Sequence, residues 1–131
     1  MTEKYIFMAE DNPNDITLMI RALKKCRIHN RLIVVSDGKE AITYLFGAGM
    51  QEKPAVVILD LKLPFIDGLE VLRRIRAYEK TSHLPVMIFS ASIDEKDRQK
   101  SMQLGASDFQ CKPINFDDFV ELVRQIGAQW L

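Results

Sequence analysis

The stretch Val56-Val57-Ile58-Leu59-Asp60-Leu61-Lys62-Leu63-Pro64 joins a short apolar run to a single carboxylate. Four consecutive aliphatic residues, three of them β-branched, read as a strand buried on both faces, as in a parallel sheet. Strands of this kind end at the edge where open α/β folds place their ligands. A carboxylate there is partly desolvated and faces solvent, which suits a nucleophile or a metal ligand. The plain alternative is a strand-end Asp that caps a loop.

Four further apolar runs set the context. Tyr5 to Ala9 reads as a first strand, followed by a helix from Pro13 to Cys26 with Ile16, Met19, Ile20 and Leu23 at helical spacing. Asn12 is a suitable cap, and Pro13 fits the first turn. Leu32 to Val35 is a second strand, and Asp37 with Glu40 resembles a capping box opening a helix through Phe46. Gly47 to Pro54 reads as the loop back to the central strand. Leu69, Leu72 and Ile75 mark a third helix, and Pro85 introduces a fourth strand, Val86 to Ser90. Asp94 to Leu104 is helical but strongly polar, with Gly105 as its stop. Ala106 to Cys111 is a short fifth strand, and Phe116, Phe119, Val123, Ile126 and Trp130 place a last helix. Strict alternation of strand and helix implies one parallel sheet covered on both faces.

Bulk properties narrow the function. The 131 residues suit a single domain, read over 1–131 with no linker and no output module. Lys plus Arg and Asp plus Glu are both 18, so no basic field draws nucleic acid. Cys26 and Cys111 lack metal-site spacing and fit reduced thiols. No apolar run approaches the ~20 residues that span a bilayer. The expectation is a cytoplasmic protein without nucleic-acid or membrane partners.

Four strands end in polar residues: Glu10-Asp11, Asp60, Ser90 followed by Ala91, and Lys112-Pro113. In a parallel sheet these ends share one edge, so residues far apart in sequence meet. Three carboxylates close together resist joint ionisation, and a hard divalent cation such as Mg²⁺ relieves the repulsion. A carboxylate attacking phosphorus gives an aspartyl-phosphate. The loose transition state asks for positive charge on the equatorial oxygens, which Mg²⁺ and Lys112 would supply, with Ser90 as a hydroxyl donor. Individually each residue has an ordinary use in a turn, a cap or on the surface; jointly, at one sheet edge and in this order, those uses do not account for them.

The acidic pair, Asp60, Ser90-Ala91 and Lys112-Pro113 together resemble the receiver domain of bacterial two-component response regulators, over essentially the whole chain. The resemblance implies a flavodoxin-like doubly wound sheet of five strands in order 2-1-3-4-5 with five helices. It implies that Asp60 accepts a phosphoryl group from a phosphohistidine on a sensor histidine kinase. Asp11 would be the main Mg²⁺ ligand, with Glu10 helping directly or through water, Asp60 and the Lys62 backbone carbonyl completing the protein ligands. Ser90 would be the switch hydroxyl, Phe109 the switch aromatic and Lys112 the conserved-type lysine. The Lys112–Pro113 peptide is usually cis in such proteins. The stretch Glu10-Asp11-Asn12-Pro13-Asn14-Asp15 looks like stand-alone receivers that serve phytochrome-type kinases.

Two positions depart from the usual pattern. Glu10 stands where Asp is more common. Lys62 stands where many relatives carry a short polar residue; it would either pair with the phosphoryl group and hinder water, or compete with Mg²⁺. The signal would leave through the polar helix, the fifth strand and the last helix, and Trp130 makes a homodimer through the last helices a natural expectation. Three rival classes fit less well. A phosphohydrolase would place a second Asp where Lys62 stands. A flavin protein would need a Ser/Thr/Gly-rich loop in place of Glu10 to Asp15. A pure binding module would not need Asp11, Asp60, Ser90 and Lys112 together.

Overall fold

The computed structural model describes residues 4–47, 50 and 52–131. Its elements run β1 (Ile6–Ala9), α1 (Pro13–Lys25), β2 (Leu32–Val35), α2 (Gly38–Phe46), β3 (Val56–Leu59), α3 (Gly68–Ala77), β4 (Val86–Ser90), α4 (Glu95–Gln103), β5 (Asp108–Cys111) and α5 (Phe116–Trp130). The five strands form one sheet in the order β2-β1-β3-β4-β5, with all neighbours parallel. The doubly wound architecture expected from the alternation is present.

The strands have two buried faces, as their continuous apolar runs require. Phe7, Ala9, Val57, Leu59, Val86 and Ile88 point into one core, which Ala41, Leu45, Val71, Leu72 and Ile75 of α2 and α3 close. Ile6, Met8, Val56, Ile58, Met87 and Phe89 point the other way, beneath Met19 and Leu23 of α1 and Phe119, Val123 and Ile126 of α5. Each such side chain, fully buried, contributes roughly 1.5–3 kcal/mol. Strand β2 lies at the edge and is only half-buried throughout.

The helix starts follow their caps. Asn12 accepts from the N–H groups of Asn14 and Asp15, Asp37 from Glu40, Asp67 from Glu70, Asp94 from Lys96 and Asn115 from Asp118. The Asp37/Glu40 pair is not reciprocal: the Glu40 carboxylate accepts from the N–H and hydroxyl of Ser36, one residue further out. Strand and helix ends differ from the sequence expectation by a residue or two. Tyr5 precedes β1, Cys26 caps α1, and the Ala106 N–H bonds back to Ser101 before β5 begins. Part of the expected Gly47–Pro54 loop (48, 49 and 51) lies outside the described residues. The Lys112–Pro113 bond is trans, since no cis peptide occurs among the described residues. This corrects the cis expectation; trans is the lower-energy form of an X–Pro bond, by about 0.5–1 kcal/mol.

Candidate functional site

The sheet ladder continues one residue past three strands and thereby fixes the backbone of the charged residues. The Glu10 N–H bonds to the Val35 carbonyl at 3.0 Å, the Asp60 N–H to Ala9 at 3.1 Å and the Lys112 N–H to Ser90 at 2.8 Å. Glu10, Asp60 and Ser90 are buried, while Asp11 is exposed. Carboxylate oxygens of Glu10, Asp11 and Asp60 all lie within 4.8 Å of one another.

Lys112 reaches into this group from β5. Its Nζ stands 2.8 Å from Glu10 Oε1, 2.9 Å from Asp15 Oδ2 and 3.2 Å from Asp60 Oδ2. Asp15 is a member that sequence reasoning did not single out. It sits in the first turn of α1, and the Asn12 cap that starts the helix aims that turn at the sheet edge. An acidic residue one turn into the helix after β1 was the available signal.

Glu10 Oε1 is close to Lys112 but outside hydrogen-bond geometry, which leaves it a buried oxygen without a hydrogen-bond partner. The ion pair with the Lys112 ammonium offsets part of the cost of burying it. Burial pushes the Glu10 carboxyl up to about 7, the Lys112 ammonium opposing and neighbouring Asp60 reinforcing the rise. At Lys112, burial works against the ammonium, but the carboxylates of Glu10 and Asp15 and the charge of Asp60 outweigh it and hold the pKa above that of an ordinary lysine.

The donor set fits a hard divalent cation. Three carboxylates, of Glu10, Asp15 and Asp60, face one ammonium, and Asp11 joins Glu10 and Asp60 in the acidic group, where Glu10 Oε1 is buried without a hydrogen bond. Mg²⁺ takes oxygen ligands from a few carboxylates and keeps several waters. Glu10, Asp11 and Asp60, each with a carboxylate oxygen in one group, are the residues that would hold it.

The loops around the carboxylates are tightly built. The Lys62 N–H donates to Asp60 Oδ1 at 3.3 Å, while the Lys62 side chain is exposed. Gly68, at the start of α3, packs against the Asp60 carbonyl so closely that an added Cβ would collide with it, and its N–H bonds to the Leu61 carbonyl at 2.8 Å. This glycine was also not singled out from sequence, because its constraint comes from a neighbour on another element. Phe65 in the same loop has a left-handed backbone (φ 68°) and is 82% exposed.

Ser90 does not reach Asp60. Its hydroxyl oxygen accepts from the Ser92 N–H at 3.0 Å, the loop-capping use open from sequence. Phe109 pairs with Ile88 across the ladder and packs half-buried against the α2–α3 side of the core. Trp130 is likewise half-buried, against the α1–α5 side.

A family model for the response regulator receiver domain matches residues 6–124. The chain belongs to the response-regulator receiver family. The response regulator Rcp1 of a Synechocystis strain is 33% identical over 131 residues, covering 98% of this chain and 89% of its own. The crystal structure of the phosphorylated cyanobacterial phytochrome response regulator RcpA superposes with a TM-score of 0.90 at 34% identity, covering 98% of this chain and 94% of that one. The Mn²⁺-bound form of Rcp1 gives a TM-score of 0.87 at 31% identity, with 98% and 94% covered. The protein is therefore a two-component response regulator receiver, a signalling domain of a family that is phosphorylated and binds a divalent metal at an acidic pocket. No helix among the described residues is long and apolar enough to cross a membrane.

Proposed function

We propose that Asp60 accepts the phosphoryl group, from a phosphohistidine of a sensor histidine kinase, in a reaction that needs Mg²⁺. The observation that carries this reading is the meeting of the Lys112 ammonium with Asp60, Glu10 and Asp15 beside Asp11. An Asp60 oxygen attacks phosphorus in line with the imidazole nitrogen. The O–P bond forms as the P–N bond breaks, and the imidazole leaves with the electron pair and takes up a proton. Lys112 is already placed to follow charge from the Asp60 carboxylate onto a phosphoryl oxygen. Glu10, Asp11, Asp60 and the Lys62 carbonyl would hold Mg²⁺, which supplies positive charge to the equatorial oxygens.

Ser90 would rotate from Ser92 toward the phosphoryl group, and Phe109 would move inward beside it. Lys62, whose backbone already touches Asp60, would set the phosphoryl lifetime; unchanged phosphorylation and dephosphorylation rates in Lys62→Ala would remove that role. Phe65, Ile93 and Ile114 are 82%, 89% and 104% exposed on the loops after β3, β4 and β5. These loops leave the strand ends on the sheet edge that carries Asp60, and their exposed apolar side chains suit contact with the donor domain of the kinase. Similarity to Rcp1 and RcpA supports a phytochrome-like kinase as that donor. The reading also includes a cytoplasmic location, no nucleic-acid partner and self-association through the last helices; monomeric elution with and without a phosphoryl mimic would remove the last.

Intact mass after incubation with Mg²⁺ and acetyl phosphate tests the chemistry. One added phosphoryl group, dependent on Mg²⁺ and absent in Asp60→Asn, is expected. No adduct under saturating donor together with no Mg²⁺-dependent consumption of acetyl phosphate, or an adduct that persists in Asp60→Asn, would overturn it.

A further inference from the structure

The three carboxylates around the Lys112 ammonium are not equivalent. Asp15 Oδ2 accepts its shorter hydrogen bond, at 2.9 Å, and Asp60 Oδ2 the longer, at 3.2 Å. Glu10 Oε1 stands 2.8 Å away as an ion pair outside hydrogen-bond geometry. Glu10 and Asp60 also belong, with Asp11, to the acidic group that would hold a divalent cation, and Asp15 does not. One carboxylate of the three therefore serves the ammonium alone.

Asp15 is firmly placed for this. Its N–H lies 3.4 Å from the Asn12 cap oxygen, and its helix is anchored by the buried Met19, Ala22 and Leu23. The side chains of Lys112 and Asp15 are only 12% and 17% exposed, so salt screens the pair less than a surface pair. On another side the ammonium stands 5.8 Å from the centre of the buried Phe89 ring. Lys112 and a divalent cation draw on the same charge of Glu10 and Asp60, and they repel each other. With no further anion, the ammonium would either compete for those carboxylates or turn to solvent and leave Asp60.

We propose that Asp15 is a positioning residue that keeps the Lys112 ammonium beside Asp60 once a divalent cation claims Glu10 and Asp60. The proposal rests on the reading of Asp60 and Lys112 given above. The ordinary use of such a residue is to place negative charge in the first turn of a helix, which favours the helix without any contact to Lys112.

The test uses the full chain, reading Mg²⁺ affinity by calorimetry and the rate of phosphorylation by acetyl phosphate at saturating Mg²⁺. Asp15→Asn, close in shape and uncharged, weakens Mg²⁺ binding about fivefold or more, from the lower end of typical couplings between sites upward, and slows phosphorylation. Asp15→Glu keeps the charge and recovers most of both. In a Lys112→Ala background, Asp15→Asn changes Mg²⁺ affinity by no more than about twofold, because its effect passes through the ammonium. An undiminished loss in that background would show Asp15 acting on the cation directly and overturn the proposal. So would Asp15→Glu as impaired as Asp15→Asn, or a wild-type rate in Asp15→Asn. Lower unfolding free energy in Asp15→Asn with wild-type Mg²⁺ affinity would make Asp15 an ordinary first-turn acid and overturn it as well. Failure of the wild type to bind Mg²⁺ or to take up a phosphoryl group would instead overturn the Asp60 reading, and this role with it.

Discussion

Helices α4 and α5 are neighbours in sequence and opposites in attachment. α5 buries Phe119, Val120, Leu122, Val123 and Ile126 against the sheet, with Phe119 edge-on to Phe89 at 5.4 Å between ring centroids. α4 buries Ser101 alone, carries charges of both signs on the rest of its surface, and is tied at its first turn by the Ser92 hydroxyl, 2.7 Å from Asp97 Oδ2. Apolar burial is non-directional and survives small shifts, whereas a hydrogen-bonded attachment is lost when its geometry changes. A helix held the second way can move without dismantling the core. That is the property a signalling surface needs, and it lies one strand away from the lysine that meets Asp60.

The contrast makes quantitative demands. Phe119→Ala should cost about 3–5 kcal/mol of unfolding free energy in denaturant titration, as for other large core truncations. A loss under 1 kcal/mol would mean α5 is no better anchored than α4. Gly68→Ala should cost about 1–3 kcal/mol by overpacking and should also slow phosphorylation by acetyl phosphate, because the new methyl presses on the Asp60 backbone. Stability lost without any change in phosphorylation would separate the loop from the site. Ser101→Ala, the matching truncation in α4, should change stability by no more than about 1 kcal/mol, the net worth of one hydrogen bond. A core-sized loss would show a hidden anchor on that helix.

The smallest effect has the opposite sign. Phe65 holds a left-handed backbone at a cost of about 1–2 kcal/mol, and its ring is mostly in solvent. Phe65→Gly should stabilise the fold by about 0.5–1 kcal/mol, part of the relief being offset by the greater chain entropy of glycine. Transfer from the kinase should slow, while phosphorylation by acetyl phosphate stays unchanged. Destabilisation, or equal effects on the two donors, would show that Phe65 serves the fold rather than docking.

Much of the architecture is written locally. The alternation of apolar runs with 3.6-period segments is present in each stretch by itself, and Asn12 and Asp37 cap the helices at the positions their side chains suggest. Glu10, Asp60 and Lys112 were recognisable because each follows directly on a strand. Asp15 and Gly68 were not singled out: a first-turn acidic residue is an ordinary helix feature, and nothing adjacent marks Gly68. Asp15 matters through an ammonium 97 residues away, and Gly68 through the carbonyl of Asp60 across a loop. The isomer of Lys112–Pro113 and the orientation of Ser90 were likewise undetermined, since two states of similar energy are separated only by surroundings.

The sequence by itself determined the strand–helix alternation, the two-sided burial of the sheet and the kind of chemistry at its edge. These depend on side-chain pattern within short windows, where hydrophobic periodicity acts. Only the tertiary structure decided which groups meet. The parallel register brings Lys112 to Asp60 across 52 residues and leaves a buried Glu10 oxygen without a hydrogen-bond partner. It also turns Ser90 toward Ser92 and α4 rather than toward Asp60. Those outcomes follow from distances across strands, and no local pattern carries them.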